Sequence, residues 1–314
     1  MAQAADLSAG TGDAVPTPVA AVLGSPVAHS LSPVLHAAAY RELGRPDWTY
    51  ARHEVDEAGL EALLVPDGTA TPGVRAGYSL TMPLKHRLIE LAGVHGWEID
   101  ATADLTGAGN TLVLAATPRV LNTDVTGIVR AIEEAGAPER SPVVTATAPA
   151  TATVLGNGAT AASAVVALRD LGVASVHLAV RTPARARAVA DLAERLGLAV
   201  TVGTLDDWRP GGEDLLVSTL PAGSLDGYAP AWPETLRADQ VVLDVAYAPA
   251  RVDLLAEYRS RGALAVPGTR MLVHQAVEQV LVHVSVLEPG LAGPADRARL
   301  ARAMTAALDA LGRD

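Results

Sequence analysis

Short apolar segments of strand length alternate with helical patterns along most of the chain. Residues 19–23, 76–82 and 241–245 are strand-like, whereas residues 33–43 and 125–135 have the spacing of amphipathic helices. Parallel strands need a crossover connection between them, and that connection is usually a helix. The alternation is therefore typical of βαβ units, and it predicts an α/β fold with a mostly parallel sheet.

A change of pattern near the middle of the 314 residues predicts two domains. The chain is longer than one average domain, and residues 141–150 (SPVVTATAPA) have the small, polar, proline-interrupted composition of a linker or an edge segment. We expect one domain to comprise residues 19–130 and the closing helices of residues 270–314. Its sheet should be mixed, because residues 107–124 resemble a hairpin. Residues 131–269 would form the second domain.

The composition excludes several classes of partner and site. Asp and Glu (35) outnumber Lys and Arg (24), and the net charge of −11 argues against a nucleic acid or an anionic membrane as partner. Cysteine is absent, which excludes disulfides, a thiol nucleophile and Cys-based metal sites, and no metal is expected. Residues 1–18 lack the regions of a signal peptide and are expected to be a disordered tail. No apolar stretch of the sequence is long enough to span a bilayer. We expect a cytoplasmic protein that is monomeric or homodimeric and that acts on a small molecule.

A glycine-rich turn opens the second half of the chain. Gly156-x-Gly158-x-x-Ala161 directly follows the strand predicted over residues 152–155 and begins a helix. The first glycine permits the tight turn, the second lets the backbone approach a pyrophosphate, and the third position needs a small residue for helix packing. Free N–H groups at the helix N-terminus then face the phosphates. The turn predicts a Rossmann-type dinucleotide-binding domain.

An arginine stands where a cofactor with a free ribose would need an acid. The next predicted strand ends at Val180 and is followed by Arg181 and Thr182, with no Asp or Glu at that place. An arginine there accommodates a 2′-phosphate, and Arg185 is also placed to reach one. The alternative for Arg185 and Arg187 is a solvated helix face. Arg181 favours NADP over NAD.

Polar clusters follow the strands predicted in the first half of the chain. They contain Ser30 and Ser32; Ser79, Thr81 and Lys85; Gly109, Asn110 and Thr111; and Asn122, Thr123 and Asp124. Ligands of open α/β sheets bind outside the carboxyl ends of the strands, so we expect these groups to line one site. Hydroxyl and amide groups with one Lys and one Asp suit a polyol that carries a carboxylate. The alternative for each Ser, Thr or Asn alone is ordinary turn and cap chemistry.

Lys85 is the only lysine of the chain. Every other non-histidine cation is Arg, which does not give up its proton near neutral pH. The single Lys therefore indicates a proton-transfer role. The alternative is a surface charge at a helix N-terminus, where the helix dipole disfavours a cation.

These motifs together resemble the shikimate dehydrogenase family, over about residues 19–282. The matching segments are residues 24–36 (GSPVAHSLSPVLH), 79–85 (SLTMPLK), 107–111 (GAGNT), 122–127 (NTDVTG), 181–182 (RT), 244–249 (DVAYAP) and 268–276 (GTRMLVHQA). The resemblance implies a substrate domain and a Rossmann-type domain with a cleft between them. Three positions depart from the family pattern: Ser79 replaces an Asn, Ala159 replaces a Gly, and Val180 replaces an Asn.

The resemblance also implies a role for individual residues. Lys85 and Asp124 would be the catalytic pair, and Ser30 and Ser32 would hold a substrate carboxylate. The remaining substrate contacts would come from Ser79, Thr81, Asn110, Asp124, Tyr247 and Gln275. NADP would be bound by Gly156, Asn157, Gly158, Ala159, Arg181, Thr182, Arg185, Thr219, Val245, Gly268 and Met271.

The implied reaction is the reversible NADPH-dependent reduction of 3-dehydroshikimate to shikimate, a step of aromatic amino-acid biosynthesis. One alternative is a quinate/shikimate dehydrogenase that prefers NAD, against which Arg181 and the serine pair argue. The other is a non-catalytic sensor of shikimate-like ligands, against which the retention of Lys85 and Asp124 argues.

Overall fold

The computed structural model describes residues 18–65, 73–136, 150–228, 230–247 and 251–312. Residues 1–17 of the expected tail and residues 141–149 of the expected linker lie outside the described part. Within the described part, no helix is both long enough and apolar enough to cross a membrane.

Strands and helices alternate along most of the described chain, as the sequence pattern predicts. The strands are β1 (Ala20–Gly24), β2 (Tyr50–Glu54), β3 (Gly77–Leu80), β4 (Glu98–Ile99), β5 (Thr111–Val113), β6 (Arg119–Leu121), β7 (Ala150–Leu155), β8 (Val173–Val180), β9 (Ala199–Thr204), β10 (Leu215–Ser218), β11 (Val241–Asp244) and β12 (Leu264–Pro267). The α-helices are α1 (Ser32–Glu42), α2 (Glu57–Leu64), α3 (Lys85–His95), α4 (Ala101–Thr106), α5 (Asp124–Ala135), α6 (Ala159–Asp170), α7 (Arg187–Arg195), α8 (Leu254–Ser260), α9 (Gly268–Leu287) and α10 (Arg297–Asp309).

The first sheet is mixed and has the strand order β2-β1-β3-β5-β6-β4. β1 pairs in parallel with both β2 and β3, whereas β5 runs antiparallel to β3 and to β6. The predicted hairpin is therefore confirmed as β5 and β6. Since β1 lies between β2 and β3, the loop that leaves β1 opens at a topological switch point, where ligands of α/β sheets bind.

The second sheet is fully parallel and has the order β12-β11-β10-β7-β8-β9. From the β9 edge this is the 3-2-1-4-5-6 order of the Rossmann fold. The order reverses between β7 and β10, and the glycine-rich turn follows β7 at this point. The predicted α/β class with a Rossmann-type domain is confirmed.

Apolar clusters cover both faces of each sheet. Successive residues of β1 alternate between them, so that Val22 packs with α1, α9 and α10, while Leu23 packs with α2 and α3 on the other face. The expected domain boundary at residue 130 falls inside α5, which packs against α6 of the second sheet and α9. These helices hold the carboxyl ends of the two sheets next to one another.

Ser32 is the first residue of α1, and the N-cap position of this helix is Leu31. The hydroxyl of Ser30 accepts the N–H of Ser32 at 3.3 Å, which satisfies this backbone donor from the loop. Ahead of α7, Pro183–Ala186 form a 3₁₀ turn, and the chain is α-helical only from Arg187.

Candidate active site

Ser30 and Ser32 project from the loop that follows β1. Their hydroxyl oxygens lie 3.2 Å apart, with Ser32 buried and Ser30 partly exposed. The loop approaches β3 closely at Gly24, where a Cβ would lie 2.3 Å from Cγ2 of Thr81. Backbone bonds from Thr81 to Leu23 and from Ser25 to Met82 complete this contact. This packing holds the start of the loop (residues 25–31, the serine loop) beside the end of β3, where Thr81 and Lys85 follow.

Lys85 and Asp124 form an ion pair at the first residues of α3 and α5. Lys85 Nζ lies 2.5 Å from Asp124 Oδ2, and the two side chains are 13% and 5% exposed. A helix N-terminus stabilises the carboxylate of Asp124 and disfavours the ammonium of Lys85, so the carboxylate compensates the lysine. A nearly buried ammonium held by a carboxylate, yet open at one side, can exchange a proton with a ligand.

Asn110 connects the ion pair to the neighbouring strands. Its Oδ1 accepts the backbone N–H of Thr123 at 2.9 Å, which sets the orientation of the amide, and its Nδ2 donates to Asp124 Oδ1 at 2.8 Å. Thr111 donates its hydroxyl to the same Oδ1 of Asn110 at 2.9 Å. One oxygen of Asp124 thus faces Lys85 while the other is held by Asn110.

Polar side chains of α9 contact the residues around Asn110. Gln275 Oε1 lies 3.5 Å from both Asn110 Nδ2 and Thr123 Oγ1. Ser79 is buried and donates to Gln279 Oε1 at 2.8 Å, and Gln279 donates to Thr111 Oγ1 at 3.1 Å. Ser79 is therefore joined to Asn110 through Gln279 and Thr111.

Tyr247 lies at a second cavity, after β11. The cavity has a volume of about 340 Å³, and its lining includes Tyr247, Ser218, Asp244 and Gly268. Tyr247 is 37% exposed. Burial raises the pKa of the Asp244 carboxyl to about 6, and its Oδ1 accepts the N–H of Ala246 in the turn that carries Tyr247.

The glycine-rich turn has the geometry that its sequence predicts. Gly156 has a φ of 109°, in the region that favours glycine, and a Cβ there would lie 2.5 Å from Thr219 Oγ1. Thr219 donates this hydroxyl to Leu155 O at 2.8 Å and so ties the ends of β7 and β10. Gly158 is the N-cap of α6, and Ala159 is its first residue.

Arg181 and Arg185 line a cavity of about 290 Å³ with Asn157 and Thr182. Asn157 donates its side-chain N–H to Arg185 O at 2.8 Å, which joins the glycine-rich turn to this cavity. The four lining residues supply cationic and neutral donors and no carboxylate, so the cavity suits a phosphate rather than a ribose hydroxyl pair.

The remaining predicted cofactor residues lie where β11 and β12 meet α9. A Cβ on Gly268 would lie 2.5 Å from Val245 O, so that only glycine allows this approach. Met271 is buried and packs in the apolar cluster of the second sheet. It supports the start of α9, whose first residues face the cavity beside Tyr247.

The ion pair also touches the second sheet's first helix. Lys85 Nζ lies 3.4 Å from Thr160 Oγ1, and Asn122 donates to Ser163 Oγ at 3.0 Å. Thr160 is the second residue of α6, next to the glycine-rich turn. The proton-bearing group is therefore adjacent to the dinucleotide turn.

Three side chains of the site were not predicted from the sequence: Thr160, Ser163 and Gln279. Thr160 lies in the predicted glycine-rich turn and Ser163 in the helix predicted after it, and nothing in the sequence pairs them with the first half. Gln279 had an available signal, since it lies one helical turn after Gln275. As to metals, the described residues contain no group of three or more His, Asp or Glu side chains that could hold an ion.

The chain is similar to known proteins of one family over most of its length. Residues 22–112 match the family model of the shikimate dehydrogenase substrate binding domain. The shikimate dehydrogenase (NADP(+)) of Methanothermobacter thermautotrophicus is 35% identical over 270 residues, which cover 83% of this chain and 89% of that protein. The crystal structure of Mycobacterium tuberculosis shikimate dehydrogenase superposes with a TM-score of 0.73 at 39% identity, covering 93% of this chain and 98% of that chain. The structure of shikimate 5-dehydrogenase from Thermus thermophilus, in complex with NADP(H) and shikimate, superposes with a TM-score of 0.69 at 30% identity. The match covers 92% of this chain and 99% of that chain.

Proposed function

Because the chain belongs to the shikimate dehydrogenase family, we propose that it catalyses the reversible reduction of 3-dehydroshikimate to shikimate with NADPH. The observation that carries this proposal is the Lys85–Asp124 pair at 2.5 Å, which contacts Thr160 at the start of α6. The residues of the candidate site together supply what the reaction needs: a proton donor, a carboxylate site and a phosphate site.

Lys85 is the proton donor in this proposal. NADPH, when bound, supplies the hydride. As negative charge develops on the ketone oxygen of the substrate, the ammonium of Lys85 donates a proton to it, which yields the hydroxyl of shikimate. In the oxidation direction, the neutral amine of Lys85 accepts the hydroxyl proton. Asp124 orients Lys85 through its Oδ2 while Asn110 holds its Oδ1.

Neutral donors hold the rest of the substrate. The hydroxyl oxygens of Ser30 and Ser32 lie 3.2 Å apart. At this spacing, each hydroxyl can donate a hydrogen bond to one oxygen of the same carboxylate. Thr81, Asn110 and Gln275 offer hydroxyl and amide groups for the ring hydroxyls. Ser79 is buried against Gln279, so we propose that it acts on the substrate through the Gln279–Thr111–Asn110 contacts.

The residues of the second domain fit NADP. Gly156 leaves room beside Thr219 that a Cβ would fill, and the N-terminus of α6 offers free N–H groups to a pyrophosphate. Arg181 and Arg185 would hold the 2′-phosphate in the cavity that they line with Asn157. NAD lacks this phosphate, so the arginines favour NADP. A cytoplasmic location and a monomeric or homodimeric state stay predictions.

A comparison of substrates and cofactors tests the proposal. We expect the purified protein to form NADPH from NADP⁺ and shikimate, followed by absorbance, with a kcat/KM for NADP⁺ at least about tenfold above that for NAD⁺. Preference for NAD⁺ with quinate would instead identify a quinate/shikimate dehydrogenase. Binding of shikimate with no turnover of either cofactor would identify a sensor.

A further inference from the structure

Arg52 holds the backbone of the serine loop from the neighbouring strand. Its guanidinium donates two hydrogen bonds to Ser30 O, from Nε at 3.0 Å and from Nη2 at 2.6 Å. A planar guanidinium that donates twice to one carbonyl holds that carbonyl in a defined direction. The carbonyl belongs to the residue whose hydroxyl lies beside that of Ser32.

The register of the first sheet places Arg52 at this position. β1 and β2 are parallel, with Val22 opposite Arg52 and Gly24 opposite Glu54. The loop that leaves Gly24 therefore passes beside the carboxyl end of β2. Ser25 donates its hydroxyl to Glu54 at 3.2 Å, so residues of β2 contact both ends of the loop.

Among the described residues, no acidic side chain forms an ion pair with Arg52, whereas Lys85 is paired with Asp124. The guanidinium touches the carbonyl of Ser30, so it lies within roughly 7 Å of the Ser30 hydroxyl, given the dimensions of one residue. That separation is shorter than the Debye length at physiological ionic strength. A carboxylate held by the two serines would therefore feel this positive charge.

We propose that Arg52 is the positioning residue of the serine pair and the cation that complements the substrate carboxylate. The inference rests on the proposed function, because it takes the ligand of Ser30 and Ser32 to be a carboxylate. In a chain with a net charge of −11, two neutral hydroxyls alone give little discrimination between an acid and its uncharged ester. Arg52 supplies that discrimination.

The test compares shikimate with its methyl ester in wild type, Arg52→Gln and Arg52→Lys. For Arg52→Gln we expect the KM for shikimate to rise about fivefold, the size expected for a charge-assisted contact that solvent partly screens. The kcat and the KM for NADP⁺ should stay within about twofold, and the KM for the ester should barely change. Arg52→Lys keeps the charge but loses the double donation, so its KM for shikimate should lie between the other two.

Arg119→Gln, at an exposed position on β6, is the matched control and should leave the KM unchanged. A wild-type protein that does not turn over shikimate would refute the proposed function and not the role of Arg52 specifically. An active wild type whose Arg52→Gln variant keeps its KM for shikimate would overturn the inference. An equal rise in the KM for shikimate and in the KM for its methyl ester in Arg52→Gln, with the melting temperature of the variant unchanged, would overturn the inference as well.

Discussion

Lys85 Nζ contacts Asp124 Oδ2 at 2.5 Å although the two residues are 39 positions apart, each at the first position of its own helix. β3 ends just before Lys85 and β6 just before Asp124, and β5 lies between these strands in the sheet. The pair therefore depends on the mixed topology of the first sheet, which places the start of both helices at one edge.

Replacing the carboxylate by an amide should impair turnover. In Asp124→Asn, Lys85 loses the charge that orients it, and we expect kcat to fall about 10²-fold, with a smaller change in the KM for shikimate. Steady-state kinetics in both directions measure this effect. Asp104→Asn, an exposed substitution on α4, is the control and should behave as wild type. A kcat for Asp124→Asn within about threefold of wild type would contradict the role of Asp124.

Removing the cation at the end of β8 should change cofactor choice. We expect Arg181→Gln to raise the KM for NADP⁺ about tenfold or more and to leave the KM for NAD⁺ nearly unchanged, because only NADP⁺ carries the 2′-phosphate. Parallel titrations of both cofactors give this ratio, with Arg195→Gln at the end of α7 as the control. Equal changes for the two cofactors would show that Arg181 does not discriminate between them.

The crossing of α5 and α9 should not tolerate a methyl group at Gly127. A Cβ there would lie 2.9 Å from Gln275 Cβ and 2.9 Å from Met271 O, so the two helices would have to move apart. We expect Gly127→Ala to lower the free energy of unfolding by about 1–3 kcal/mol in urea denaturation. Gly93→Ala on α3 meets open space and should instead raise it by about 0.5 kcal/mol. Equal stability of the two variants would be evidence against the close crossing.

Acid should destabilise the protein through His283. Burial lowers the pKa of this side chain to about 4. Below the pKa of about 6.5 in the unfolded chain, the unfolded state takes up a proton that the folded state does not. The stability contributed by neutral His283 is therefore lost progressively as the pH falls from 6.5 to 4. We expect the loss between pH 7 and pH 5 to be about 1–2 kcal/mol smaller in His283→Gln than in wild type, measured by urea denaturation at each pH. His53→Gln, at an exposed position on β2, should retain the wild-type loss.

The Rossmann class of the second domain could be predicted from local features. Strand length, helical spacing and the Gly156-x-Gly158 turn are properties of neighbouring residues, and the right-handed βαβ connection restricts the remaining choices. Short elements such as β4 and α4 could not be predicted in the same way. They span two and six residues, too few for a periodic pattern, and they depend on β6 and α6 for their packing.

The contacts of the candidate site depend on packing that no local pattern reveals. The sequence indicated Lys85 because it is the only lysine, and the resemblance pointed to Asp124. The sequence contained nothing that predicts the contact of Thr160 with Lys85, which depends on how the two domains pack, or that of Arg52 with Ser30, which depends on strand register. The spacing of Gln279 from Gln275 was visible in the sequence, but its bonds to Ser79 and Thr111 depend on the packing of α9 against the first sheet.

The kinetics and shikimate binding of Lys85→Gln test the proposed acid–base pair most directly. Turnover with NADP⁺ gives kcat, and calorimetric titration with shikimate gives Kd. We predict a kcat at least about 10²-fold below wild type, since no other described side chain contacts Asp124 as a cation, and a Kd within about tenfold of wild type. A variant that binds shikimate and keeps a kcat within about threefold of wild type would contradict proton transfer by Lys85.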